Sequence, residues 1–209
     1  MMIGSMDPTD PSGVSHAEDC VHFTLGSLPN LVDKSVWEIG CGQGHILMEL
    51  KSRGAKCVGI EPGKQINTNL GNLELIQDYF PSRRISLRKF DVITAYNVIE
   101  HVPNLEEMFH SVGEHLTDEG DFIFCVPNCG PYLENGDISI FLHEHIRYFS
   151  YHSIVHVLEL YGFEVQRVSI SENEALLLVH CRKASISRNT LYNDNIFNLE
   201  VFQRKMGRV

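Results

Sequence analysis

The chain reads as an α/β protein with a doubly wound, mostly parallel sheet, helices on both faces and an antiparallel strand at one edge. Three observations predict this. From Ser35 to Val126 strand-like and helix-like segments alternate with short connections, and parallel neighbours need such crossovers. Seven segments carry strand patterning, at residues 35–40, 56–61, 73–77, 90–99, 121–126, 163–170 and 174–181, enough for a seven-stranded sheet. The last two are separated by only a few residues around Ser171 to Asn173, which allows a hairpin and no crossover, so one of them runs antiparallel at the edge.

The elements follow in order. Residues 1–14, MMIGSMDPTDPSGV, are polar, without periodicity and broken by two Asp-Pro pairs; they read as a disordered leader and not as a secretory signal. A domain over 15–183 is expected to begin with a helix from Ser15 to Leu28, stopped by Pro29. After the strand SVWEIG comes a helix from His45 to Arg53, with Ile46, Leu47 and Leu50 on one side and Gly54 as its stop. The strand KCVGIE, a helix from Gly63 to Leu70, the short strand LELIQ and the strand FDVITAYNVI continue the alternation. In PNLEEMF, Asn104 caps a helix and Glu107 stands three residues on, so the two can satisfy each other's orphan backbone donors. That helix runs to about Leu116, turns through TDEG and feeds the strand DFIFCV. A long loop, Pro127 to Arg147, leads to a helix from Tyr151 to Tyr161 with Ser150 as its cap and Gly162 as its stop. Residues 184–209 form a tail ending in a helix candidate whose Ile196, Leu199 and Phe202 share one apolar face; a homodimer contact, a missing flanking domain or a fold-back onto the core would cover it.

Composition narrows the function. Of 209 residues 43% are hydrophobic and 21% charged, and no apolar run is long enough to cross a bilayer, so one domain with tails in the cytoplasm is expected. A net charge of -10 disfavours nucleic acid, whose binding rests on Lys and Arg neutralising phosphates, and the one basic cluster, Ser82 to Lys89, is short. No nucleic-acid and no membrane partner is expected. The six cysteines contain no CxxC pair, which argues for reduced structural thiols and against a zinc site.

The stretch EIGCGQGH carries the strongest local signal. In an open parallel sheet ligands sit beyond the carboxyl ends of the strands, and this loop lies at such an end. Gly40, Gly42 and Gly44 permit positive φ and remove the Cβ atoms that would hold a ligand off the backbone. A dinucleotide loop would read G-x-G-x-x-G; this one reads G-x-G-x-G and is preceded by Glu38, which is awkward beside pyrophosphate and useful beside an ammonium group. Glu61, at the end of the next strand and about twenty residues on, can accept both hydroxyls of a ribose. Adenosine joined to an amino acid meets both demands.

These residues resemble the class I S-adenosyl-L-methionine (SAM)-dependent methyltransferases, which have a Rossmann-like fold. VWEIGCGQGH is similar to their first motif, VGIEP to their ribose-binding segment, QDYF to the adenine-side segment and FDVITAYNVIEHVPN to the fourth, and the resemblance runs from about Ser35 to Cys181. It implies SAM as cofactor and a small-molecule acceptor. By position, Gly40, Cys41, Gly42 and Gly44 pass beside the methionine part, and Glu38 orients the loop or the amino group. Glu61 with Pro62 takes the ribose, Asp78 and Tyr79 flank the adenine, and Asn97 and Val98 line the floor through their backbone.

The acceptor side is expected in FLHEHIRYFS, Phe141 to Ser150. If the segment is extended, His143 and His145 face one way and Glu144 the other, and a carboxylate beside a histidine raises its basicity. HEHIRYFS followed by a helix and GFEV resembles SAM-dependent sugar C-methyltransferases, which act on nucleotide-linked keto sugars; there the Glu-His pair, here Glu144 and His145, removes the proton beside the ketone. Tyr148 and Arg147 are expected to position the acceptor. Those enzymes also carry a cysteine-rich zinc domain and a further domain, neither of which has a counterpart in this sequence. IEHVPN resembles a stretch of O-methyltransferases of quinone-like acceptors, in which His101 acts as base or joins Glu100 at a metal; two residues make a thin metal site, and no metal is expected. A non-catalytic SAM-binding module is the alternative outside enzymes.

Overall fold

The computed structural model of the chain describes residues 11–63, 73–85 and 88–185. The first ten residues of the leader expected over 1–14, the body of the helix expected at 63–70, two residues of the basic cluster and the tail from 186 lie outside the described residues, while residues 11–14 are helical where disorder is expected. The elements run α1 (Pro11–Ser27), β1 (Ser35–Ile39), α2 (His45–Ser52), β2 (Lys56–Glu61), β3 (Glu74–Gln77), β4 (Phe90–Tyr96), α3 (Leu105–His115), β5 (Leu116–Pro127), α4 (Gly130–Asn135), α5 (Tyr151–Leu160), β6 (Phe163–Ile170) and β7 (Leu176–Lys183).

One seven-stranded sheet has the order β3-β2-β1-β4-β5-β7-β6. Strands β1 to β5 pair in parallel, whereas β7 pairs antiparallel with both β5 and β6. The expected hairpin therefore forms the antiparallel edge, with β7 inside it and β6 outermost. The chain winds outward from β1 to β3 and returns to place β4 on the other side of β1, so crossovers leave that junction in opposite directions and open a crevice at the strand ends.

Period-two alternation divides the core between two faces. On one, Phe23 of α1 and Leu47 and Leu50 of α2 cover Val36, Val92 and Ile123; on the other, Phe109 and Val112 of α3 and Ile154 and Leu158 of α5 cover Trp37, Ile93, Phe122 and Val179. Phe109 stacks on Tyr161 and meets Phe122 and Phe163, and its burial contributes about 1.5–3 kcal/mol relative to exposure.

Local details depart from the sequence expectations in four places. Helix α1 starts at Pro11, four residues before Ser15. Strand β5 starts at Leu116, paired with Phe90, and the ladder resumes at Asp121 opposite Val92, so TDEG bulges out of a strand that is already under way. The long loop contains α4, closed by Gly136 in the left-handed region. Asn104 caps α3 by accepting the Glu107 N–H at 3.2 Å, but the return contact reaches its side-chain amide, not its backbone N–H. The cap on α5 is reciprocal, between Ser150 and Ser153. Among the described residues no helix is long and apolar enough to cross a membrane.

Candidate active site

The glycine loop leaves β1 at the crevice. The backbone N–H groups of Gly40 and Cys41 both donate to the Ile60 carbonyl, at 2.8 and 3.2 Å, and Gly40, Gly42 and Gly44 take φ of +69°, +51° and +77°. A Cβ on Gly40 would lie 2.5 Å from Cγ2 of Val98, so glycine is required there by its neighbour as well as by its φ. Behind the loop, a Cβ on Gly59 would meet Sγ of Cys41 at 2.5 Å. Gly59 escaped the sequence reading; a glycine inside a strand is the signal of such a close approach. Burial pushes the Cys41 thiol up, and the charges of Glu38 and Glu61 add to this.

The two carboxylates have different roles in the architecture. Glu38 lies in register between Gly59 and Thr94, is 3% exposed, and its Oε2 has no hydrogen-bond partner. Burial, then repulsion from Glu61, pushes its carboxyl well above the usual range. An orphaned buried oxygen beside a glycine-rich loop fits a ligand ammonium group. Glu61 is satisfied by backbone: Oε2 accepts from Gly42 N–H at 3.1 Å and Oε1 from Gly63 N–H at 2.8 Å, with Pro62 between.

At the rim, Asp78 follows β3 and its N–H donates to the Glu61 carbonyl at 3.3 Å. Its carboxylate accepts from Ser82 Oγ at 2.7 Å and from Tyr79 N–H at 2.9 Å, bonds that hold it below its ordinary pKa, and Tyr79 is 72% exposed. Asp78 thus organises its own turn while Tyr79 presents a ring. Asn97, at φ +52°, donates its N–H to the Cys125 carbonyl and accepts from the Cys125 thiol, which fixes the floor on which Val98 sits.

The acceptor side differs from the expected extended segment. A turn closed by His145 N–H on the Leu142 carbonyl sends His143 out to solvent, 86% exposed, and His145 inward. The carboxylate of Glu144 lies 3.7 Å from His143, and its carbonyl oxygen, not its carboxylate, faces the site, accepting from Nδ1 of His101 at 2.9 Å. His145 meets His101 ring to ring at 4.9 Å. Burial, then the neighbouring His101, lowers its pKa, outweighing Glu144, so the expected gain in basicity is reversed. Arg147 donates to the carbonyls of Val102 and Pro103, and the Tyr148 hydroxyl to that of Leu142; both polar groups hold the loop in place of reaching for an acceptor.

Glu100 anchors this arrangement. Its carbonyl accepts from the N–H groups of Ile146 and Arg147 at 3.1 and 3.2 Å, while its side chain is 1% exposed with neither oxygen hydrogen-bonded. Burial pushes its carboxyl up to about 8. Oε1 lies 3.8 Å from Nε2 of His101.

The sheet order is that of the class I SAM-dependent methyltransferase fold, and the glycine loop and the strand-end acids lie at its strand ends. The sequence model of the methyltransferase-domain family matches residues 16–168, most of the chain, and the chain belongs to that family. A SAM-dependent methyltransferase from Clostridium acetobutylicum superposes with a TM-score of 0.64 at 13% identity, covering 80% of this chain and 92% of that one. The magnesium protoporphyrin IX methyltransferase of Synechocystis with bound SAH superposes with 0.62 at 18% identity, covering 82% and 85%. A ubiquinone biosynthesis O-methyltransferase of Pseudoalteromonas translucida is 27% identical over 120 residues, 52% of this chain and 50% of that protein. The C-methyltransferase NovU of Streptomyces niveus is 26% identical over 160 residues, 68% of this chain and 38% of that protein. The chain spans half or less of the length of these two relatives.

Proposed function

We propose that the chain transfers the methyl group of SAM to a small molecule whose reacting atom must first lose a proton. SAM supplies an electrophilic methyl on a sulfonium; the chain supplies position and a base. Glu38 and the loop from Gly40 to Gly44 take the amino-acid end, Glu61 the ribose, Asp78 and Tyr79 the adenine side, and Asn97 and Val98 the floor. His145, turned toward His101 and Glu100 and away from the Glu144 carboxylate, removes the acceptor proton. The observation that carries this reading is the inward turn of His145 onto the segment that follows β4, where cofactor floor and acceptor loop meet.

The leading acceptor is a nucleotide-linked keto sugar, methylated on the carbon beside its ketone. HEHIRYFS and the similarity to NovU over 68% of this chain support it. O-methylation of a quinone-like hydroxyl is the second reading, supported by His101 facing the same site and by the ubiquinone-biosynthesis relatives. Calorimetric titration with S-adenosylhomocysteine, with NADH as control, tests the cofactor. A methyl-transfer screen over both acceptor classes then tests the reaction. His145→Ala is expected to keep S-adenosylhomocysteine affinity and to lose about 10²–10⁴-fold in turnover. Loss of both would make His145 a structural residue.

A further inference from the structure

Three side chains at the acceptor edge share a requirement that methyl transfer does not explain. Both oxygens of Glu100 are buried without a donor, and Oε1 faces Nε2 of His101 at 3.8 Å. That nitrogen carries no proton in the neutral ring, because Nδ1 lies 2.9 Å from the Glu144 carbonyl oxygen, an atom that only accepts, and so holds the ring's one proton. His145 adds a buried Nδ1 without a partner. One donor atom from each of Glu100, His101 and His145 lies within 4.8 Å of the other two. Two of the three side chains carry buried atoms without a partner, and a cation among the three donors would satisfy them.

We infer that Glu100, His101 and His145 form a binding site for one divalent first-row transition-metal ion. One carboxylate and two imidazoles suit Zn²⁺, Fe²⁺ or Mn²⁺, whereas Mg²⁺ and Ca²⁺ favour all-oxygen shells. Three protein ligands leave a position open for water or for an oxygen of the acceptor. The Glu144 carbonyl is the outer partner that fixes the His101 tautomer, the usual companion of a ligating histidine. The site gives the acceptor of the O-methyl reading a shape: a hydroxyl whose oxygen would bind the cation, lose its proton to water and then take the methyl group. This last part rests on the methyl-transfer reading, and in the loaded site His145 is a ligand, its role as base belonging to the metal-free cluster. A proton held on Glu100 is the competing way to relieve the cluster, and it requires no metal.

The untagged chain, stripped with chelator and dialysed, is titrated with CoCl₂ while visible absorption is followed, and with ZnCl₂ by calorimetry. One equivalent is expected to bind. Glu100→Gln and His145→Ala are each expected to weaken it at least about tenfold, and the exposed His143→Ala to leave it unchanged. S-adenosylhomocysteine binding is measured on every variant as the test of folding. Absence of saturable one-to-one uptake by wild type, or uptake that survives both Glu100→Gln and His145→Ala, overturns the metal site. Chain that binds S-adenosylhomocysteine but no metal leaves the methyltransferase reading standing, and metal uptake without S-adenosylhomocysteine binding sinks that reading alone.

Discussion

The carboxylate of Glu61 accepts a hydrogen bond from the backbone N–H of Gly42, 19 residues earlier, at 3.1 Å, and its other oxygen accepts from Gly63 N–H at 2.8 Å. One side chain at the end of β2 therefore sets the conformation of the loop that leaves β1. The same acid that is expected to hold a ribose also shapes the cradle for the rest of the cofactor.

Glu61→Ala strips both backbone donors of their acceptor and removes the ribose contact. A charged hydrogen bond contributes about 1.5–3 kcal/mol, so S-adenosylhomocysteine affinity is expected to fall roughly ten- to a hundredfold. Calorimetry reads this directly, and unchanged affinity would remove Glu61 from the cofactor site.

Gly40→Ala meets Val98. The new Cβ lies 2.5 Å from Val98 Cγ2 but 3.7 Å from Val98 Cβ, and the backbone sits at φ +69°. A loss of about 1–3 kcal/mol in unfolding free energy is expected from clash and φ together. Adding Val98→Ala should recover the clash and leave the left-handed penalty of about 1–2 kcal/mol. Denaturant midpoints of the three variants separate the two parts; no recovery in the double variant would place the cost elsewhere.

Asp121 provides the pH dependence. Its Oδ1 lies 2.7 Å from Nε2 of His180 and 2.6 Å from Nε of Arg182, both on β7. Burial pushes its carboxyl up, but the bonds from His180 and Arg182 outweigh this and leave it below the usual carboxylate value. A depressed folded pKa adds stability above the unfolded value of about 3.9, lost as pH falls through the folded value. Asp121→Asn is thus expected to cost about 1–3 kcal/mol at neutral pH, with the gap to wild type closing below about pH 4. Melting curves across the acid range check it; a constant gap would mean that the charge is not what matters.

Arg147→Ala releases the clip on the Val102 and Pro103 carbonyls. Turnover is expected to fall because His145 loses its fixed place, while S-adenosylhomocysteine affinity stays within about twofold, since a 1 Å misplacement alone can cost about a hundredfold in rate. Faster proteolytic cleavage between Ile138 and Ile146 should accompany the loss. Unaltered cleavage with unaltered turnover would show that the turn holds itself.

What was legible in the sequence was local. Glycine spacing, the acids at strand ends, the Asn104 and Ser150 caps and the hairpin length each depend on neighbours within a few residues, and the structure reproduces them in place, the Asn104 cap without its reciprocal backbone bond. The acceptor loop was not legible in the same way. Alternation placed His143 beside His145, but the bonds from Ile146 and Arg147 to the Glu100 carbonyl, 46 and 47 residues back, and the turn at Leu142 set the opposite arrangement. Glu100 and His101 could be paired by sequence; only tertiary docking brings His145 to them. The start of β5 at Leu116 was hidden for a similar reason, because a bulge is fixed by its partner strand, not by its own residues.

Val98 and Glu100 are separated by one residue, yet they hold different loops. The Val98 side chain lies over Gly40 of the donor loop, and the Glu100 carbonyl holds the backbone of the acceptor loop. A ligand that shifts this short segment from one side alters the fit on the other. By linkage, an acceptor analogue that tightens the hold on S-adenosylhomocysteine by some factor must itself be held tighter by that same factor when S-adenosylhomocysteine is present. On the proposed function, the hold on cofactor and the choice of acceptor become one equilibrium with two handles, joined at Ile99.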